Sequence, residues 1–228
     1  MPLDPRSPRD LAPLIDHTLL APEATPEAVA RLCDEARAHG FAAVCVRAGF
    51  AAEARRRLAG TAVRTAVVVD FPKGEGRTAD RVAEAVAAAR AGAEELDLVV
   101  ALPLVKAGRW GEVLDDLRAV VGAVAVPVKV ILETAALDRD QKVAAAAVAR
   151  AAGAAWVKTS TGYGPGGATA EDVALLRRVV GDALGVKASG GIRTASQALA
   201  MVRAGASRVG ASASVAIVEG AFEPPGVA

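Results

Sequence analysis

The sequence is poor in aromatic residues, with one Tyr, two Trp and four Phe. Such a set offers little on which nucleic-acid bases could stack. Two Cys can build neither a disulfide scaffold nor a four-thiolate zinc site. An excess of one charge sign is missing as well: 27 Lys and Arg stand against 26 Asp and Glu. A formal net charge of +1 leaves no electrostatic footprint for nucleic acid or an anionic membrane. No apolar run reaches the roughly 18 residues of a membrane-spanning helix. The first residues, Met1-Pro2-Leu3-Asp4-Pro5-Arg6, are charged and broken by proline, unlike a signal peptide. The expectation is a soluble, cytoplasmic protein with no nucleic-acid or membrane partner. Lysine is scarce too, at positions 73, 106, 129, 142, 158 and 187 only. Each Lys in an apolar setting therefore calls for an explanation.

What is abundant is alanine, roughly a quarter of the chain and far above ordinary usage. Hydrophobic residues make up 53% of the sequence, which argues against disorder. A length of 228 residues suits one domain that needs no staple. Ala-rich helical stretches alternate with short apolar runs. Thr25-Pro26-Glu27, Thr78-Ala79-Asp80 and Thr169-Ala170-Glu171 read as helix starts, with Thr as the cap and acids at the positive end of the dipole. Gly92, Gly153 and Gly205, each followed by Ala, read as helix stops.

Eight strand candidates follow: Leu14–Thr18, Ala42–Val46, Arg64–Asp70, Leu96–Ala101, Pro127–Leu132, Ala155–Thr159, Val186–Ser189 and Ser207–Ala211. Eight strands interleaved with helices predict an α/β fold, a single (β/α)8 TIM barrel, in preference to an open doubly wound sheet. The domain spans residues 1–228, with a short N-terminal segment 1–10 and a C-terminal tail 219–228.

Three lysines interrupt apolar strands: Lys129 between Val128 and Val130, Lys158 between Val157 and Thr159, and Lys187 between Val186 and Ala188. They stand 29 residues apart, about one β/α unit. Inside a barrel they could converge near the C-terminal mouth. Lys is almost never fully buried unless paired, and Asp16, Asp70, Asp97 and Glu133 are the strand carboxylates available for simple ion pairs. Three together favour a catalytic cluster. An amine is nucleophilic only when neutral, and its pKa falls through burial and a nearby cation. Two lysines from neighbouring strands supply that arrangement. With Asp97 holding a water or moving protons, the set points to carbonyl chemistry through an imine.

The glycines point to an anion. Ser189-Gly190-Gly191-Ile192-Arg193-Thr194 leaves one strand for a helix, and Val209-Gly210-Ala211-Ser212 leaves the next. Bare glycine lets backbone N–H groups approach a phosphate, and these are the loops after strands seven and eight, where such barrels often bind it. Thr159-Ser160-Thr161-Gly162-Tyr163-Gly164-Pro165-Gly166-Gly167 reads as a mobile or anion-lining loop.

In combination these segments resemble the deoxyribose-phosphate aldolase family of class I aldolases over about residues 11–218. The resemblance is carried by Leu14-Ile15-Asp16-His17-Thr18-Leu19-Leu20, Glu94-Glu95-Leu96-Asp97-Leu98-Val99-Val100, Val128-Lys129-Val130-Ile131-Leu132-Glu133-Thr134, Val157-Lys158-Thr159-Ser160-Thr161-Gly162, Val186-Lys187-Ala188-Ser189-Gly190-Gly191-Ile192-Arg193 and Gly210-Ala211-Ser212. It implies that Lys158 forms the imine, Lys187 lowers the pKa of Lys158, and Asp97 relays protons through a water. Lys129 and Asp16 support the network, and Gly162, Gly190, Gly191 and Ser212 line the phosphate. It further implies reversible cleavage of 2-deoxy-D-ribose 5-phosphate to acetaldehyde and D-glyceraldehyde 3-phosphate, with no metal and no organic cofactor, in a homodimer or homotetramer. Other lysine-dependent sugar-phosphate aldolases, transaldolase-like barrels and a non-catalytic phosphate-binding barrel stand as alternatives.

The chain departs from the family pattern at Arg47, Asp70, Ala101 and Ala213, none of them among the lysines or Asp97. It also ends Glu223-Pro224-Pro225-Gly226-Val227-Ala228, where some members carry a Tyr-bearing tail. The remaining chemistry-bearing residues read as structural. Cys45 is expected as a buried inert thiol, and Cys33 as core or partly exposed. His17 is expected to bond locally to Asp16, and neither it nor His39 has a metal-ligand spacing. Trp110 and Trp156 are expected to pack helix against barrel. Arg55-Arg56-Arg57 reads as a solvated or subunit-contact face, and Lys73, Lys106 and Lys142 as surface residues.

Overall fold

The computed structural model describes Pro5 and residues 7–222. Eight parallel strands close into one barrel in sequence order: β1 (Ile15–Thr18), β2 (Ala43–Val46), β3 (Arg64–Val69), β4 (Glu95–Val99), β5 (Val128–Ile131), β6 (Trp156–Lys158), β7 (Gly185–Ser189) and β8 (Arg208–Ala211). All eight lie on the runs expected, displaced by one or two residues at the ends. β8 pairs back onto β1, so no edge is left open. Residues 223–228 of the expected tail lie outside the described residues.

The outer layer contains α1 (Pro26–His39), α2 (Ala51–Arg57), α3 (Thr78–Arg90), α4 (Leu102–Lys106), α5 (Trp110–Gly122), α6 (Arg139–Ala151), α7 (Ala170–Val180), α8 (Ala195–Arg203) and α9 (Ser214–Glu219). Thr25 and Thr169 cap α1 and α7 with their hydroxyls, as their sequence context predicts. Thr78 does not cap. It is the first residue of α3, Arg77 takes the cap position, and the Thr78 hydroxyl donates to Asp116 at 2.7 Å. Asp116 also faces the buried guanidinium of Arg81, so a tertiary polar cluster takes the group that local chemistry assigns to the helix end.

The strands divide two environments by their period-two alternation. Val44, Val67, Leu96, Leu98, Val130, Val157, Val186 and Val209 face outward into the core between barrel and helices. On the inside, Ala43, Cys45, Ala66 and Val68 from β2 and β3 form a small apolar cluster with Leu20 and Phe71. Around the rest of the barrel the interior carries an ionic cluster from β1 and β4 to β8, beside the inward-facing Val99, Ile131 and Trp156. This alternation overturns the expected Asp16–His17 bond, because neighbours on a strand point to opposite faces. Asp16 points in, whereas His17 contacts Ser214 at 3.0 Å and Glu35 at 2.7 Å outside the barrel.

The same rule corrects Trp156. It shares the inner face with Lys158, and the Arg208 guanidinium lies over its ring, 5.1 Å from the centroid. A Cβ on Gly185, its register neighbour, would overlap that ring. Trp110 does pack against the outer core, as expected. Arg56 and Arg57 pair with Glu53, and Arg55 reaches Glu94. Lys73 and Lys106 are exposed, whereas Lys142 is half-buried against Asp172 at 2.7 Å.

Candidate active site

The closed register places Asp97 beside Lys129, and Lys158 beside Lys187, which in turn neighbours Arg208. The side chains converge on Asp97. Its Oδ1 accepts from Lys129 Nζ at 2.8 Å. Its Oδ2 accepts from both Lys158 Nζ and Lys187 Nζ, each at 2.8 Å. Asp16 accepts from Lys187 through Oδ2 and from Arg208 Nη1 through Oδ1 at 2.6 Å. Both carboxylates and all three lysines are buried.

Burial by itself would push Asp97 toward its neutral form. Lys129, Lys158 and Lys187 outweigh it and hold the carboxyl well below the usual carboxylate range. Asp16 is likewise held low against its burial, by Lys187, Lys129 and Arg208. Burial pulls Lys187 down, but Asp16 and Asp97 more than compensate and hold it above the ordinary lysine value. The same balance raises Lys129. Lys129 and Lys187 are therefore fixed cations. Among the described residues Lys158 has one carboxylate contact, to an oxygen it shares with Lys187.

A cavity of about 360 Å3 opens above this cluster. Lys158 lines it; Lys129 and Lys187 lie sealed beneath. Gly162, Gly190, Gly191 and Ser212, the four residues expected at the anion, line the same cavity and form its glycine wall. Gly190 and Gly191 both take positive φ, 92° and 78°. A side chain on Gly167 would overlap the Gly190 carbonyl, so the loops after β6 and β7 meet backbone to backbone. Thr18, Leu20, Tyr163 and Arg193 complete the rim. Arg193 brings an exposed cation to the glycine wall.

The chain belongs to the DeoC/LacD family of aldolases. The model of that family matches residues 11–222. A deoxyribose-phosphate aldolase of Caldanaerobacter subterraneus subsp. tengcongensis is 49% identical over 214 residues, covering 92% of this chain and 93% of the relative. One of Thermotoga maritima is 47% identical over 215 residues, 94% of this chain and 87% of the relative. In three dimensions, the deoxyribose phosphate aldolase of Aeropyrum pernix, described as having a unique tetrameric structure, superposes with a TM-score of 0.87. It is 35% identical, over 95% of this chain and 92% of that one.

As a DeoC/LacD family aldolase, the protein also carries site residues that sequence reasoning passed over. Glu95 places Oε2 2.6 Å from Lys129 Nζ, and Arg208 Nη1 reaches the same oxygen at 3.5 Å. The signal was available, since Glu95 lies two residues before Asp97 and so shares its inward face. Two of the carboxylates considered for the lysines serve elsewhere. Asp70 pairs with Arg81 at 3.2 Å, and its backbone takes positive φ. Glu133 accepts from the backbone N–H of Thr161 at 3.2 Å and from its hydroxyl, which ties the loop after β6 to β5. Cys45 is the buried thiol expected; burial, then Asp97, push its pKa up to about 11, and its Sγ lies 3.9 Å from Asp97 Oδ2.

Proposed function

We propose that this aldolase cleaves 2-deoxy-D-ribose 5-phosphate reversibly to D-glyceraldehyde 3-phosphate and acetaldehyde through a Schiff base on Lys158. The observation that carries the assignment of the nucleophile is that Lys158, alone of the three clustered lysines, reaches the cavity. The names of the relatives support the sugar, and the glycine wall supports its phosphate.

Neutral Lys158 Nζ attacks the C1 aldehyde, and loss of water from the carbinolamine leaves the imine. Lys187 cannot compete, because Asp16 and Asp97 hold it protonated. Its fixed positive charge disfavours a second one on Lys158. Removal of the proton from the C3 hydroxyl then breaks the C2–C3 bond. The electron pair moves into the imine to give an enamine, and glyceraldehyde 3-phosphate leaves. Protonation at C2 and hydrolysis release acetaldehyde and restore the amine. Asp97, kept ionised by the Lys129 and Lys187 ammonium groups, orients Lys158 and a water; the relayed protons travel on that water rather than resting on the carboxyl. Lys129 and Asp16 hold Asp97 and Lys187 in place. The phosphate lies against Gly162, Gly190, Gly191 and Ser212, where paired positive-φ glycines can turn N–H groups toward an anion.

The proposal extends to a role in deoxyribose phosphate catabolism, a single-domain chain, a cytoplasmic location, and assembly as a homodimer or homotetramer, the last supported by the tetramer described for the Aeropyrum pernix relative. The test is reductive trapping. Incubation with 2-deoxyribose 5-phosphate and borohydride, followed by digestion and mass spectrometry, should place the adduct on Lys158. Folded protein that carries no adduct there would overturn the assignment.

A further inference from the structure

The barrel interior carries an ionic layer below the catalytic one. Arg64 at the foot of β3 is more than half exposed and keeps its charge in water; of the groups out of water, four cations, Lys129, Lys158, Lys187 and Arg208, face three anions, Asp16, Glu95 and Asp97. With every group ionised the interior holds one positive charge too many. Burying an unmatched charge is costly, so the cheapest remedy is to lose one proton. Arg208 cannot supply it at any ordinary pH. Lys129 contacts Glu95 and Asp97 at 2.6 and 2.8 Å, and Lys187 contacts Asp16 and Asp97. Lys158 is left with the shared oxygen of Asp97.

The lower layer is built to stay in place. Glu95 Oε1 meets Arg64 Nη1 at 3.3 Å, and its Oε2 faces Lys129 and Arg208. The Arg208 guanidinium is pinned between Asp16 and the ring of Trp156, which fits because Gly185 has no side chain. Neither Glu95 nor Arg208 lines the substrate cavity. We propose that Glu95 and Arg208 are positioning residues that set the protonation of the nucleophile from beneath, Arg208 opposing Glu95. This rests on Lys158 being the imine-forming residue. The groups facing the interior from each strand are Asp16 of β1, Cys45 of β2, Arg64 at the foot of β3, Glu95 and Asp97 of β4, Lys129 of β5, Lys158 of β6, Lys187 of β7 and Arg208 of β8. Of these, the Cys45 thiol stays neutral.

The two residues should act with opposite sign. Arg208→Met removes the surplus charge, so Lys158 holds its proton to higher pH. The acid limb of kcat/KM should rise by roughly one pH unit, the effect of one charge at this range. Glu95→Gln adds to the surplus and should lower the limb by a similar amount. Arg208→Lys and Glu95→Asp keep the charge and should keep the limb. The experiment measures kcat/KM against pH with 2-deoxyribose 5-phosphate, alongside the pH dependence of cyanoborohydride-trapped adduct on Lys158. Circular dichroism reports folding. The double variant Glu95→Gln/Arg208→Met keeps the net charge and should return the limb to its wild-type position, including where a single variant does not fold. Folded variants that lose activity equally at all pH values, or a double variant whose limb moves, would overturn the proposal. A wild-type protein without adduct on Lys158 would instead overturn the assignment of the nucleophile.

Discussion

Lys158 and Lys187 share one oxygen. Asp97 Oδ2 stands 2.8 Å from each Nζ, so the two ammonium groups can be no farther apart than those two lengths together. Asp16, the other carboxylate contact of Lys187, keeps that lysine protonated. A permanent cation, Lys187, thus stands beside Lys158 across one carboxylate oxygen.

Replacing Lys187 with Met removes that cation while keeping an apolar stem. The acid limb of the pH–rate profile should move to higher pH, because the neighbouring charge that opposes a second cation is gone. A profile at the wild-type position, with full activity, would remove Lys187 from the mechanism.

Asp97→Asn takes the central anion from the buried Lys129 and Lys187 ammonium groups and from Lys158. Breaking a buried ion pair costs about 3–5 kcal/mol, and loss of the proton relay about 100-fold or more in kcat/KM. Urea denaturation and steady-state kinetics on the same preparation would separate the two. The sign with pH is fixed: the folded Asp97 and Asp16 carboxyls lie below their unfolded values, so their stabilisation is present above about pH 4. It is lost as pH falls through their depressed folded values, and in Asp97→Asn the loss of stability on acidification should be shallower.

The cluster was legible because lysine inside a β-branched run has no bland explanation, and a spacing of one β/α unit put three of them in one place. The barrel followed from the count of apolar runs and their Gly stops. Arg208 was not legible, because it stands at the first residue of a strand, where polar side chains ordinarily face solvent; Glu95 opens a strand too, and only its phase with Asp97 gives it away. His17 and Trp156 were misassigned for want of the strand's phase: once Lys158 is known to point inward, Trp156 must also, and Asp16 inward turns His17 outward. Glu133, offered as an ion-pair partner for the lysines, instead holds Thr161, 28 residues on across a loop, a pairing that no local pattern announces.

Glu133→Ala should release Thr161 and with it Gly162. The expected result is a KM for the phosphorylated sugar raised about tenfold, equivalent to about 1.4 kcal/mol, with a smaller change in kcat. The unphosphorylated sugar, lacking the group that Gly162 meets, should lose little. Equal losses on both sugars would assign Glu133 to general stability.

His17 is mostly out of water, and burial lowers its pKa despite the Glu35 contact. Below its ordinary value of 6.5 the unfolded chain takes up a proton that the folded one refuses. Stability should therefore decline as pH drops from 7 toward 5. His17→Gln should flatten that slope, as measured by thermal melts across the range, and an unchanged slope would show that other groups set it.

Gly185→Ala drives a methyl into the Trp156 ring and should cost about 1–3 kcal/mol through displaced packing. Urea midpoints would measure it, and the fluorescence of Trp156 should change with it.

The amine and its ion lattice belong to the strands, whereas the glycine wall, Tyr163 and Arg193 belong to segments beyond the strand ends. Tyr163 is half exposed at the rim, edge-on to Phe71 at 5.3 Å, with Arg47 stacked on the far ring at 5.6 Å. A randomised library confined to Tyr163 and Arg193 at the cavity, with Phe71 and Arg47 stacked behind, therefore reshapes the rim while every member keeps the buried lysine cluster. Diversity spread into the strands would be spent mostly on chains without a working amine.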